Sequence, residues 1–102
     1  MNETPGRQAA INVDLGSGDG ERTVRALESL NEMLRERRAD ASSIQPLTSL
    51  LRDGDAGIRR SATWSMGKLA QNKVGGAYPL DELIDLLGDE DAEVRENAAW
   101  AL

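Results

Sequence analysis

Pro46–Met66 reads PLTSLLRDGDAGIRRSATWSM, and Glu82–Leu102 reads ELIDLLGDEDAEVRENAAWAL. At an offset of 36 residues, nine of these 21 positions are identical: Leu47/Leu83, Leu50/Leu86, Leu51/Leu87, Asp53/Asp89, Asp55/Asp91, Ala56/Ala92, Arg59/Arg95, Ala62/Ala98 and Trp64/Trp100. Ile58/Val94 and Met66/Leu102 are conservative matches. A self-match at a period of this size marks stacked supersecondary units. The fold class expected is therefore all-α, an α-solenoid of antiparallel helix pairs.

Each copy resolves into two helices and a turn. Ile44–Arg52 places Ile44, Leu47, Leu50 and Leu51 on one side, with Pro46 in the first turn, where backbone N–H groups have no intrahelical partner. Ser43 is the expected cap of this helix. Asp53-Gly54-Asp55 breaks the chain, and Asp55 is placed to cap a second helix, Ala56–Ala70. Gln71–Tyr78, containing Gly75-Gly76, turns into the next copy, where Leu80–Leu87 and Ala92–Leu102 repeat the pair around Gly88–Asp91. Upstream, Glu21–Arg38 is amphipathic through Val24, Leu27, Leu30, Met33 and Leu34, and its Arg35, Arg37 and Arg38 sit late, where they suit the helix dipole. Met1–Gly20 has no helical period and reads as a flexible tail, with Ala10–Leu15 its one weak strand signal. The organisation expected is a tail over 1–20 and a repeat domain over 21–102. That domain comprises a leading helix at 21–38, a first repeat at 44–70 and a second, truncated repeat at 80–102.

The line Ile58-Arg59-Arg60-Ser61-Ala62-Thr63-Trp64-Ser65-Met66-Gly67, copied as Val94-Arg95-Glu96-Asn97-Ala98-Ala99-Trp100-Ala101-Leu102, resembles the second helix of HEAT-like repeats. It is closest to the kind first named in phycobilin lyases, which commonly runs Val-Arg, two variable residues, then Ala-Ala-Trp-Ala-Leu-Gly. The resemblance covers about Ile44–Leu102. It implies a scaffold or adaptor rather than a catalyst, and it implies a carboxylate–guanidinium ladder along the turns. Asp53, Asp89, Arg59 and Arg95 would form the ladder, beside the capping Asp55 and Asp91. Bilin lyase activity follows from the resemblance alone and is the most natural enzymatic alternative.

The candidate partner-binding residues come from the helical wheel. At about 100° per residue, Ile58, Ala62, Ser65, Met66 and Leu69 share one side, and Trp64 falls about 160° away, beside Arg60 and Lys68. Trp and Arg are enriched where interfaces concentrate their binding energy. Arg60, Trp64, Lys68 and Trp100 are therefore the candidate ridge; packing of the two Trp residues against an adjacent repeat is the competing reading.

A second motif competes. Val13-Asp14-Leu15-Gly16-Ser17-Gly18-Asp19-Gly20 resembles the glycine-rich first motif of S-adenosylmethionine-dependent methyltransferases, in which a strand enters the turn and a helix leaves it. Residues 10–15 and 21–38 match that order, with Asp14 near the ligand's amino group. No second strand follows, because Ala39–Ser43 leads into another helix, and one strand makes no sheet.

Bulk composition narrows the rest. With no Cys and no His among 102 residues, disulfides, thiolate chemistry and imidazole bases are excluded, and the commonest metal ligand is missing. The net charge of −6 disfavours nucleic acid and anionic membranes as partners. No apolar stretch approaches the length of a membrane span, so a cytoplasmic protein is expected. Ten of the 12 basic residues are Arg, and the excess of carboxylates resembles the proteins of salt-in halophilic archaea. The reading is a non-catalytic protein–protein interaction module without cofactor or metal. The copy of the second helix stops at Leu102, aligned with Met66, so the Leu80–Leu102 pair is expected to self-associate or dock on another protein through Ile84 and Leu87.

Overall fold

The computed structural model describes residues 5–102. Six α-helices follow in order: α1 (Pro5–Leu15), α2 (Gly20–Arg35), α3 (Ile44–Leu50), α4 (Ala56–Gln71), α5 (Leu80–Asp85) and α6 (Ala92–Ala101). Short 3₁₀ turns at Ala41–Ser43 and Leu86–Gly88 precede α3 and follow α5. Among the described residues there is no strand. α2 packs on α4 and α4 on α6, while α1 packs on α2 and α3. The second helices of the pairs therefore form a continuous layer.

The N-terminal segment departs from the sequence expectation. Residues 5–15 of the expected tail form helix α1, and Met1–Thr4 lie outside the described residues. The expected strand at Ala10–Leu15 is the second half of that helix: Ile11 and Leu15, four apart, are buried while Val13 faces solvent. α1 is also bolted down by amides. Gln8 donates to Ser43 Oγ at 2.9 Å and to the Asp40 carbonyl, and it accepts from Asp40 N–H at 3.0 Å. Asn12 accepts from Ser43 Oγ at 2.5 Å and donates to Ser42 Oγ at 3.0 Å. Ser43 is thus spent on α1 and makes no cap; Asp40 caps the 3₁₀ turn instead, accepting from Ser42 N–H at 2.8 Å.

The leading helix, which the sequence also allowed as the second helix of a degenerate first repeat, is consequently the second half of a complete pair, and it keeps the same period. Asp19, Asp55 and Asp91, 36 residues apart, cap α2, α4 and α6 with their side chains. Ala26, Ala62 and Ala98 are buried where these helices cross. α2 ends at Arg35 rather than Arg38, because Arg37 turns into the left-handed region at φ 57°. Arg38 N–H then reaches the Met33 carbonyl and Arg37 N–H the Leu34 carbonyl, which closes the last turn. α4 ends identically 36 residues later, at Lys73 with φ 63°. Asn72 fastens the two ends together by donating to the Leu34 carbonyl at 2.9 Å. Leu30, Leu34, Leu47, Leu51, Met66, Leu69, Leu83 and Val94 fill the core between the layers.

Candidate functional site

The turns build a repeated charge device. Arg59, on the first turn of α4, donates through Nη1 to the Asp53 carbonyl at 2.8 Å. Its Nε and Nη2 grip both oxygens of Asp89, one repeat later, at 3.0 and 3.2 Å. Asp53 and Asp89 also each accept from the N–H two residues on, at 2.9 Å. Arg95 repeats the intra-turn contact, donating to the Asp89 carbonyl at 2.6 Å. Both side chains of the Arg59–Asp89 pair are 10% exposed, well shielded from solvent screening. Burial pushes the Asp89 carboxyl up, but the Asp91 N–H and the Arg59 guanidinium outweigh it and hold it below its ordinary value. The hydrogen bonds that Arg59 donates to Asp89 in turn raise the Arg59 guanidinium. These residues join one helix pair to the next.

The layer of second helices carries a shallow groove of about 490 Å³ lined by Asn31, Arg35, Gly57, Arg60, Ser61, Trp64, Glu93 and Asn97. Trp64 is half-buried beside it. The Arg35 guanidinium of α2 lies 5.3 Å from the ring centroid and Lys68 Nζ lies 5.9 Å away, both within cation–π range. Arg60 is engaged with the next repeat, 3.7 Å from Asp91 and 3.5 Å from Glu93. Lys68 Nζ donates to Gln71 Oε1 at 2.7 Å. Asn31 is anchored by Ser61 and Ser65, and Asn97 donates to the Arg60 carbonyl at 3.1 Å.

Of the four ridge residues read from the sequence, Arg60, Trp64 and Lys68 come together. Trp100 does not line the groove: its ring rests on α4 at Gly67, and it remains 45% exposed. Arg35, Asn31, Glu93 and Asn97 were not singled out. Their signal is registration across the stack. Asn97 stands 36 residues after Ser61, and Asn31 stands 36 before Gly67, so both lie on the stripe that carries Trp64.

The glycine-rich segment is a helix-to-helix turn. Asp19 accepts from Arg22 N–H and Ser17 Oγ accepts from Asp19 N–H, each at 3.2 Å, while Gly18 takes a φ of 77° that favours glycine. The strand that a methyltransferase motif requires before it is helix α1. Asp14 sits 3.5 Å from Arg22. No helix among the described residues is long and apolar enough to cross a membrane.

A family profile described as HEAT repeats matches residues 15–102, which includes all of α2 to α6. The chain belongs to the HEAT repeat family. Among curated proteins none matches. As a HEAT repeat protein it has three helix pairs in one register, the first of which extends upstream of the matched residues through α1. HEAT membership accounts for the turns and the small residues at the helix crossings. It assigns no role to the groove.

Proposed function

We propose that this HEAT repeat protein is a non-catalytic interaction module, an adaptor that holds a segment of another protein in the groove around Trp64. The observation that carries the reading is the half-buried indole flanked by the Arg35 and Lys68 cations in a groove that crosses three helices. A rigid aromatic with cations beside it suits a segment carrying an apolar side chain and carboxylates, because the ring supplies contact area and Arg35 supplies a bidentate donor. The Ser61 and Asn31 amide-hydroxyl network holds the groove floor without needing the partner. A cytoplasmic setting and a salt-rich cell, suggested by the composition, belong to the same proposal.

Photo-crosslinking from the groove tests it. A crosslinker at Ser61, in the full chain and in native lysate, is expected to capture a defined protein. The same crosslinker at Gln45, on the outer layer, is expected to capture none of it. Equal capture from both positions would remove the groove from the account.

A further inference from the structure

The groove at Trp64 continues along the seam between α2 and α4. A second cavity of about 270 Å³ lies there, lined by the buried Leu27 and Ile58 and by Val24, which is 44% exposed. It shares Gly57 and Ser61 with the Trp64 groove. A third hollow, at Gly20 and Glu21, shares Val24, Asp55 and Ile58 with the second. The three form one cleft. Its two helices run parallel: Val24 lies across from Ile58, Asn31 bonds Ser61 and Ser65, and Arg35 lies over Trp64. From Val24 to Arg35 the cleft follows α2 for about 16 Å, at about 1.5 Å per residue.

The two ends carry opposite charge. At the Trp64 end Arg35 and Lys68 flank the indole, and neither forms an ion pair among the described residues. The carboxylate at that end, Glu93, is held by Arg60 at 3.5 Å. At the Val24 end Glu21, Glu28 and Asp55 line the cleft against a single guanidinium, Arg25. Glu21 and Glu28 are exposed, and Asp55 caps α4 through one oxygen only. Glu28 stands 36 residues before Trp64, so one repeat position carries a carboxylate at one end and the indole at the other.

The width of the cleft selects the backbone that enters it. Helices in direct contact lie about 8–10 Å apart, whereas a helix with its side chains is about 10–12 Å across. A helical partner would ride on the ridges of α2 and α4. An extended chain fits between them, and at about 3.3 Å per residue about five residues cover the length. We infer that the segment held in this cleft is extended, with a basic and an apolar residue at one end and carboxylates about five residues away. Its apolar side chain rests on Leu27 and Ile58, and the basic neighbour faces Glu21, Glu28 and Asp55. Its carboxylates meet Arg35 and Lys68 beside the indole. The inference rests on the Trp64 groove being the binding site, and it adds a second anchor and a polarity.

Selection of a random peptide display library on the full chain reads that pattern directly. Peptides enriched on wild type are expected to share a basic–apolar pair and an acidic pair about five residues apart, in either chain direction. Selection on Glu28→Lys should lose the basic residue and keep the acidic pair, and selection on Arg35→Glu should do the reverse. Val24→Glu should weaken the best wild-type peptide at least tenfold. All three positions are exposed, and circular dichroism checks that the variants stay folded. Peptides that require Trp64 but are indifferent to Val24 or to Glu28 would overturn the inference and leave the Trp64 groove standing. A spacing of about ten residues or more between the apolar and acidic groups would mean a helical occupant and would overturn it as well. Peptides bound equally by Trp64→Ala, or no enrichment at all, would remove the groove reading and the inference together.

Discussion

Trp100 lies on Gly67 so closely that a Cβ added at Gly67 would stand 2.4 Å from the ring atom Cε3. The third pair is keyed to the second through this contact, since any side chain at position 67 must displace the indole. Gly67→Ala is therefore expected to destabilise the fold by about 1–3 kcal/mol, the usual cost of overpacking. It should also red-shift the Trp emission as Trp100 moves into water. A unchanged urea midpoint and spectrum would show that the ring shifts freely.

Arg59 and Asp89 supply the second prediction. Removing one member of a buried pair strands the other, so Asp89→Asn is expected to cost about 3 kcal/mol. The loss should exceed that of Asp85→Asn, whose ion pair with Arg52 is exposed.

Acid should act through the same residue. The folded carboxyl of Asp89 titrates below its unfolded value, so the unfolded chain binds its proton first. Its contribution is complete above the ordinary carboxylate range, near pH 4, and is lost as pH falls through the depressed folded value. Asp40, lowered by the Ser42 hydroxyl and N–H, adds in the same direction. Urea midpoints from pH 6 to pH 2 should fall less steeply in Asp89→Asn than in wild type, and equal slopes would refute the assignment.

Lys73 holds a left-handed conformation at φ 63°, a region that favours glycine. Lys73→Gly is expected to raise stability by up to about 1 kcal/mol, the strain relieved being partly offset by the freer unfolded chain. A lower midpoint would mean that the Lys side chain matters at that turn.

Salt tests the compositional reading. A chain with 18 acidic against 12 basic residues is expected to lose helicity at low ionic strength and recover it in molar KCl. Full helicity and an unchanged melting temperature across that range would contradict it.

The later pairs were legible because their residues carry the repeat on both faces: Asp caps, Leu47/Leu83 inward, Ile58/Val94 towards the preceding pair. The first pair was not, because its outer face is polar where the later pairs are apolar. Asp14 and Arg22 replace the apolar residues there, Glu28 replaces Trp64, and the exposed Val13 imitates a strand. Its inward residues Ile11, Leu15 and Ala26 and its cap Asp19 kept the 36-residue offset, and that is where the signal lay. At the groove, the helical wheel located Trp64 opposite the core. It could not separate Trp64 from Trp100, which are equivalent in the repeat. Their surroundings come from the preceding helix: Arg35 and Asn31 on α2 for one, Gly67 on α4 for the other.

Affinity for the crosslinked partner, measured with Trp64→Ala beside wild type, tests the central claim most directly. Truncating the indole should leave helicity and the melting temperature nearly unchanged and weaken binding by about 2 kcal/mol, the scale of an interface hot spot. An unaltered affinity in the folded variant would contradict the claim that the Trp64 groove is where this protein binds.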